Sequence, residues 1–65
     1  MKTKIIRLGL DTFAVHIQGD NHTVTYDWDG IENFLKKELS QDLVDFVIRQ
    51  VERLKVGDMF FILSN

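Results

Sequence analysis

The stretch FAVHIQGDNHTVTYDW, residues 13–28, indicates two β-strands joined by a hairpin loop. Apolar and polar side chains alternate over 13–18 and again over 23–28, as in strands that bury one face. Residues 19–22 between them are of types that tolerate a positive φ angle. Residues 4–10 alternate more loosely and predict an earlier strand, so the first half of the chain is expected to form a three-stranded meander.

Two helices are predicted after the meander. Asp29 is the expected N-cap of the first helix, and Glu32 three residues later completes a capping box. Ser40 is the expected N-cap of the second helix, which is predicted to run to about Lys55 and to end at Gly57. At about 100° per residue, the apolar side chains of the second helix share one broad face: Leu43, Val44, Val47, Ile48, Val51 and Leu54.

The last seven residues, Met59-Phe60-Phe61-Ile62-Leu63-Ser64-Asn65, predict a final strand that is apolar on both faces. Met59, Phe61 and Leu63 point one way, and Phe60 and Ile62 point the other. We expect this strand to join the edge of the sheet beside the first strand. The prediction is a single α+β domain over residues 1–65, ordered β-β-β-α-α-β, with a four-stranded, mainly antiparallel sheet and helices packed on one face.

Composition limits the classes of function. A chain of 65 residues is near the lower limit for a fold held by its core alone, and with no cysteine it has neither disulfides nor thiolate zinc ligands. Two isolated histidines predict no metal site, and without a ligand-binding signature in the sequence we expect no cofactor. The net charge of −2 lacks the basic footprint of a nucleic-acid binder, and no apolar run approaches the length of a membrane span. We therefore expect a cytoplasmic protein with no membrane contact.

No residue pattern indicates catalysis, so we expect a protein that is not an enzyme. The sequence has neither a glycine-rich phosphate loop nor an activated serine or cysteine nucleophile. An acidic cluster of Asp27, Asp29 and Glu32 surrounds Trp28. Helix capping accounts for Asp29 and Glu32, which leaves Asp27 as a candidate contact for a protein partner.

Phe46 is the outlier of the second helix, because it falls on the polar side near Arg49 and Arg53. The favoured interpretation packs Phe46 against the first helix, where it would meet Phe34 or Leu39. The alternative is an exposed contact residue, since aromatic and arginine side chains are enriched at interfaces. Phe46, Arg49 and Arg53 are therefore candidate partner-binding residues.

Phe60 and Ile62 are the remaining candidates. If the helices cover the opposite face of the last strand, these two side chains form an apolar outer patch whose pairing would support a homodimer. The alternative function is a small dimeric regulator that binds nucleic acid through a helix-turn-helix-like segment at 30–55. Its cations, Arg49, Arg53 and Lys55, are offset by nearby carboxylates, which places nucleic-acid binding second.

The order of a short meander, a helical segment and a closing strand after Leu54-Lys55-Val56-Gly57-Asp58 resembles small phage-encoded accessory proteins. In length, acidity and absence of cysteine the chain is similar to anti-CRISPR proteins, which block a host defence complex by occupying its surface. The resemblance covers the whole chain in size and element order. It implies a phage-type inhibitor that acts by steric occlusion of a larger protein complex.

Overall fold

The computed structural model describes residues 2–63 and confirms the α+β class and the order β-β-β-α-α-β. The meander is followed by two helices and a closing strand. The elements are β1 (Lys2–Gly9), β2 (Thr12–Ile17), β3 (Thr23–Tyr26), α1 (Trp28–Glu38), α2 (Gln41–Glu52) and β4 (Met59–Leu63).

The four strands form one antiparallel sheet in the order β3-β2-β1-β4. The last strand therefore lies beside the first, as its position after a pair of helices predicted. In the register of that pair, Ile5 lies opposite Phe60 and Lys4 lies opposite Phe61. Ser64 and Asn65, which the sequence placed in the same strand, lie outside the described residues.

The core lies between the helices and one face of the sheet. The sheet contributes Ile5, Phe13 and Val15, which alternate with residues of the opposite face. The buried stripe of α2 is narrower than its apolar face, because only residues spaced at three and four positions point straight at the sheet. The buried residues of the two helices are Ile31, Leu35, Val44, Val47 and Val51.

The helix boundaries differ from the sequence prediction at two places. Asp27, and not Asp29, is the N-cap of α1: its backbone is extended and its Oδ1 accepts a hydrogen bond of 2.7 Å from the Gly30 amide. A Cβ at Gly30 would lie 2.9 Å from Cδ1 of Tyr26, so this tight start needs glycine. Asp29 lies in the first turn of α1, where its charge suits the helix dipole.

The second difference is the end of α2, which stops at Glu52 with Arg53 as its C-cap and does not continue to Lys55. Gly57 adopts a φ of 95° in the turn that leads into β4, and its amide donates a 2.7 Å hydrogen bond to the Arg7 carbonyl. The glycine thus serves the entry to the strand and not the exit from the helix. Ser40 is the N-cap of α2, as predicted.

Arg7 joins three separate parts of the chain. Its guanidinium donates hydrogen bonds to the carbonyls of Gly9 and Leu10 in the β1–β2 turn, at 3.0 and 2.9 Å. It also reaches the carbonyls of Glu52 and Leu54 at the end of α2, at 3.3 and 2.9 Å. A cation at this end of a helix is favourable because the free carbonyls carry partial negative charge. Arg7 therefore fixes the C-terminal end of α2 over the sheet.

Candidate partner-binding groove

An open groove of about 530 Å³ separates α2 from β4. We call this feature the β4 groove. Most of the side chains around it are apolar, and Glu38 and Ser40 are its polar members. The lining residues are Glu38, Leu39, Ser40, Leu43, Phe46, Val47, Phe60, Phe61, Ile62 and Leu63.

The groove exists because the apolar surface of α2 is wider than the stripe that the sheet covers. Leu43 and Phe46 both lie on the same side of that stripe, about 70° and about 130° from its centre. Leu43 is 51% exposed and Phe46 is 54% exposed. Leu43 was expected among the inward residues and was not named as a contact. The sequence signal for Leu43 as a contact residue was the apolar face of α2, which is too wide to be buried as one stripe.

The exposure of Phe46 supports the alternative that the sequence analysis placed second. Its side chain lines the β4 groove and is not enclosed between the helices. Phe34, one of the two expected neighbours, packs instead against Tyr26, with ring centres 5.6 Å apart. The packed interpretation of Phe46 is therefore wrong, and the residue stays a candidate contact.

The prediction that Phe60 and Ile62 form an outer patch is wrong, because both lie on the helix-covered face of the sheet. Both residues are half-buried and pack against the core on the helix-covered side of the sheet. The reason is register: β1 buries Ile5, and Ile5 lies opposite Phe60. The outward residues of β4 are Met59, Phe61 and Leu63, which are 52%, 46% and 79% exposed. Phe60 and Ile62 nevertheless line the β4 groove with Phe46.

The other three candidate residues lie outside the groove. Arg49 and Arg53 are exposed on α2, one and two turns beyond Phe46, and neither is among the lining residues. Asp27 caps the N-terminal end of α1, whereas the groove touches the C-terminal end of that helix. An 11-residue helix is about 16 Å long. Asp27 thus has a structural role far from the groove.

The groove opens onto the unpaired edge of β4. Within residues 2–63, β4 has a single neighbour, β1. Its five residues include no charge and no proline, and they are apolar on both faces. Natural sheets usually protect an edge strand with lysine, proline, a bulge or short length. β4 has no lysine, no proline and no bulge. Its free amides and carbonyls lie beside exposed apolar side chains.

Two further kinds of feature, a metal centre and a membrane-spanning helix, are absent from the described part of the chain. Across residues 2–63, no group of three or more histidine or carboxylate side chains is placed to hold a metal ion. His16 lies on the sheet, with its Nδ1 3.3 Å from the Thr23 hydroxyl. None of the helices described is long and apolar enough to cross a membrane.

No protein-family model, curated protein or solved structure matches this chain.

Proposed function

We propose that this chain is a non-enzymatic, cytoplasmic protein-binding module whose main contact surface is the β4 groove. The observation that carries the proposal is the exposure of Leu43 and Phe46, 51% and 54%, beside the groove face of an edge strand. Contiguous exposed apolar surface on a small protein marks an interaction site more often than isolated apolar side chains do.

The exposed apolar area is large enough to matter for binding. A large side chain presents roughly 200 Å², so the exposed half of Phe46 amounts to about 100 Å². At about 25 cal/mol per Å², covering it contributes up to about 2.5 kcal/mol before the costs of association are subtracted. Leu43 adds a similar amount. Arg49 and Arg53 extend from the same side of α2 and would form part of the polar rim that surrounds an apolar interface centre.

The more specific proposal is a phage-type inhibitor that blocks a host defence complex by steric occlusion. Its support is the resemblance in size and element order to anti-CRISPR proteins, together with an apolar groove that suits a protein surface. Binding alone would then be the activity. If the substrate of that complex must cross the covered surface, the complex loses activity in proportion to the fraction of it that has bound this protein.

The test uses Phe46→Asp, with Leu10→Asp as its matched control. Leu10 is 84% exposed in the β1–β2 turn, so the control places the same carboxylate on an exposed apolar site away from the groove. Because Phe46 is exposed, Phe46→Asp should change the free energy of unfolding by no more than about 0.5 kcal/mol. It should weaken partner binding by more than about 1 kcal/mol.

The partner is obtained by affinity capture from the native host and mass spectrometry, and is then purified for direct titration. Wild type and Leu10→Asp should bind the purified partner equally, and Phe46→Asp should not. The inhibitor proposal further requires that the partner's own activity falls when wild type is added and is unaffected by Phe46→Asp. Equal binding by all three proteins would refute the groove as the contact surface.

A further inference from the structure

We propose that two copies of this chain pair through β4, which would form a continuous eight-stranded antiparallel sheet. The proposed interface is the free edge of Met59–Leu63, a five-residue strand with one neighbour, β1, among the described residues. This inference goes beyond the partner-binding proposal. Because Leu43 and Phe46 border both the seam and the β4 groove, a second copy and a partner would compete for this surface.

The strand is complementary to itself. In an antiparallel pair with Phe61 on the two-fold axis, Phe61 lies opposite Phe61 of the second copy. Phe60 then lies opposite Ile62 of the second copy on the helix-covered face, and Met59 lies opposite Leu63 of the second copy on the open face. Every cross-strand pair is apolar, and aromatic residues paired with branched aliphatic ones stabilise sheets. No charge is opposed to a like charge within this register.

The surfaces beside the edge match as well. A two-fold axis perpendicular to the sheet places the helices of both copies on the same face. Leu43 and Phe46 of each copy then flank the seam over Phe60 and Ile62, and the outward side chains of β4 form a second apolar strip beneath it. A dimer of this kind would cover apolar surface on both sides of the new strand pair.

The opposite edge of the sheet offers no such match. β3 has only four residues, Thr23–Tyr26, and its side chains on the open face are the threonines Thr23 and Thr25. A short polar edge is one of the means by which natural sheets avoid pairing. The contrast between the two edges selects β4 as the self-association strand.

The area supports a reversible dimer. Leu43, Phe46, Met59, Phe61 and Leu63 are each between 46% and 79% exposed. At roughly 200 Å² per large side chain, they present about 560 Å² per copy, or about 1,100 Å² for the pair, and strand pairing covers only the part of this area that faces the second copy. Even the full value lies below the roughly 1,200–2,000 Å² of stable specific interfaces and within the range of weak, reversible ones. We therefore expect association in the micromolar range and not an obligate dimer.

The first measurement is sedimentation of the wild type across micromolar concentrations, with melting temperature recorded at each concentration. A dimer predicts a species of twice 7.6 kDa and a melting temperature that rises with concentration. A monomer throughout that range, with a constant melting temperature, would overturn the proposal.

The register is tested by charge exchange at Phe61. Phe61→Glu and Phe61→Lys each place two like charges face to face on the axis and remove the Phe61–Phe61 contact. Each variant alone should dimerise at least about 30-fold more weakly. The Glu variant also lies near Lys2, whose Nζ is 4.5 Å from the Phe61 ring centre, so its monomer should stay folded. An equimolar mixture of the two variants should recover a dimer, because opposite charges then meet.

Val24→Glu is the matched control on the other edge, where the side chain is 48% exposed. It should dimerise like the wild type. Loss of dimer in Val24→Glu with retention in both Phe61 variants would refute β4 as the interface. Failure of the mixture to dimerise would refute the register. Neither result depends on partner capture, so this proposal and the groove proposal fail separately.

Discussion

Arg7 joins the β1–β2 turn to the end of α2 through the hydrogen bonds of its guanidinium, and we call this set of bonds the clasp. Replacing Arg7 with methionine should remove it. Methionine keeps much of the apolar stem and removes the guanidinium, which donates four hydrogen bonds to backbone carbonyls. The guanidinium carbon also lies 5.5 and 5.6 Å from the ring centres of Phe13 and Trp28. No other residue type offers five donors in a planar fork, so lysine should rescue the loss only in part.

The magnitude follows from the two part-buried bonds, to Gly9 and Leu54. A hydrogen bond from a charged donor contributes about 1.5–3 kcal/mol, so these two account for about 3 kcal/mol at the low end. The two exposed hydrogen bonds of Arg7 add little to this free energy, because water takes the place of the lost donor. A domain of this length has a total free energy of unfolding of about 3–10 kcal/mol. Arg7→Met should therefore remove a large share of the stability.

The assay is thermal and urea unfolding, both followed by the fluorescence of Trp28. This indole is half-buried, packs edge-on against Phe13 at 4.5 Å and donates to the Leu10 carbonyl at 3.1 Å, so it reports on the clasp region directly. Arg49→Met is the matched control, because Arg49 is exposed on α2. The melting temperature of Arg7→Met should fall by about 12 °C or more, and that of the control should hardly change.

Salt provides a further check on the cause. The acceptors of Arg7 are carbonyls and not carboxylates, so the loss should persist at high ionic strength, where surface ion pairs are screened. A difference of less than about 0.5 kcal/mol between Arg7→Met and Arg49→Met would refute the clasp. If this difference in the free energy of unfolding disappears at high salt, its cause is the loss of a positive charge and not the loss of hydrogen bonds to carbonyls.

Two further predictions concern the cap and the alternative function. Asp27→Ala should lower the free energy of unfolding by about 1 kcal/mol and Asp29→Ala by less, since only Asp27 accepts the Gly30 amide; a larger loss in Asp29→Ala would contradict the assignment of the cap. The protein should not bind random-sequence duplex DNA at physiological salt, as measured by mobility shift. A complex at submicromolar protein that weakens steeply with salt would instead support the nucleic-acid alternative and make Arg49 and Arg53 its contacts.

The sequence by itself determined the order of the elements and the place of the last strand. Alternation over 13–18 and 23–28, a turn-forming loop between them and helical spacing after Ile31 are local signals, and each depends on neighbours a few residues away. Ser40 was identified as a cap for the same reason. The position of β4 beside β1 was predicted and is confirmed, although the meander also offers a free edge at β3, so the pairing itself is a long-range contact.

Only the tertiary structure decided which faces are buried. β4 is apolar on both sides and β1 alternates only loosely, so the pattern does not say which face meets the helices; the burial of Ile5 opposite Phe60 identifies that face. The sequence predicted Asp29 as the cap of α1, whereas in the structure Asp27 holds that place and its Oδ1 accepts the Gly30 amide. The bonds from Arg7 to the end of α2 span 45 and 47 residues, beyond the reach of any local pattern.

The β4 groove is likewise a product of packing. The sequence showed that α2 has more apolar surface than one stripe, and the sheet covered only Val44, Val47 and Val51 of it. Whether Leu43 and Phe46 are covered depends on how far α2 lies from β4. Side-chain chemistry is local, but exposure is a property of the distance between elements, and that distance is determined by contacts far apart in the chain.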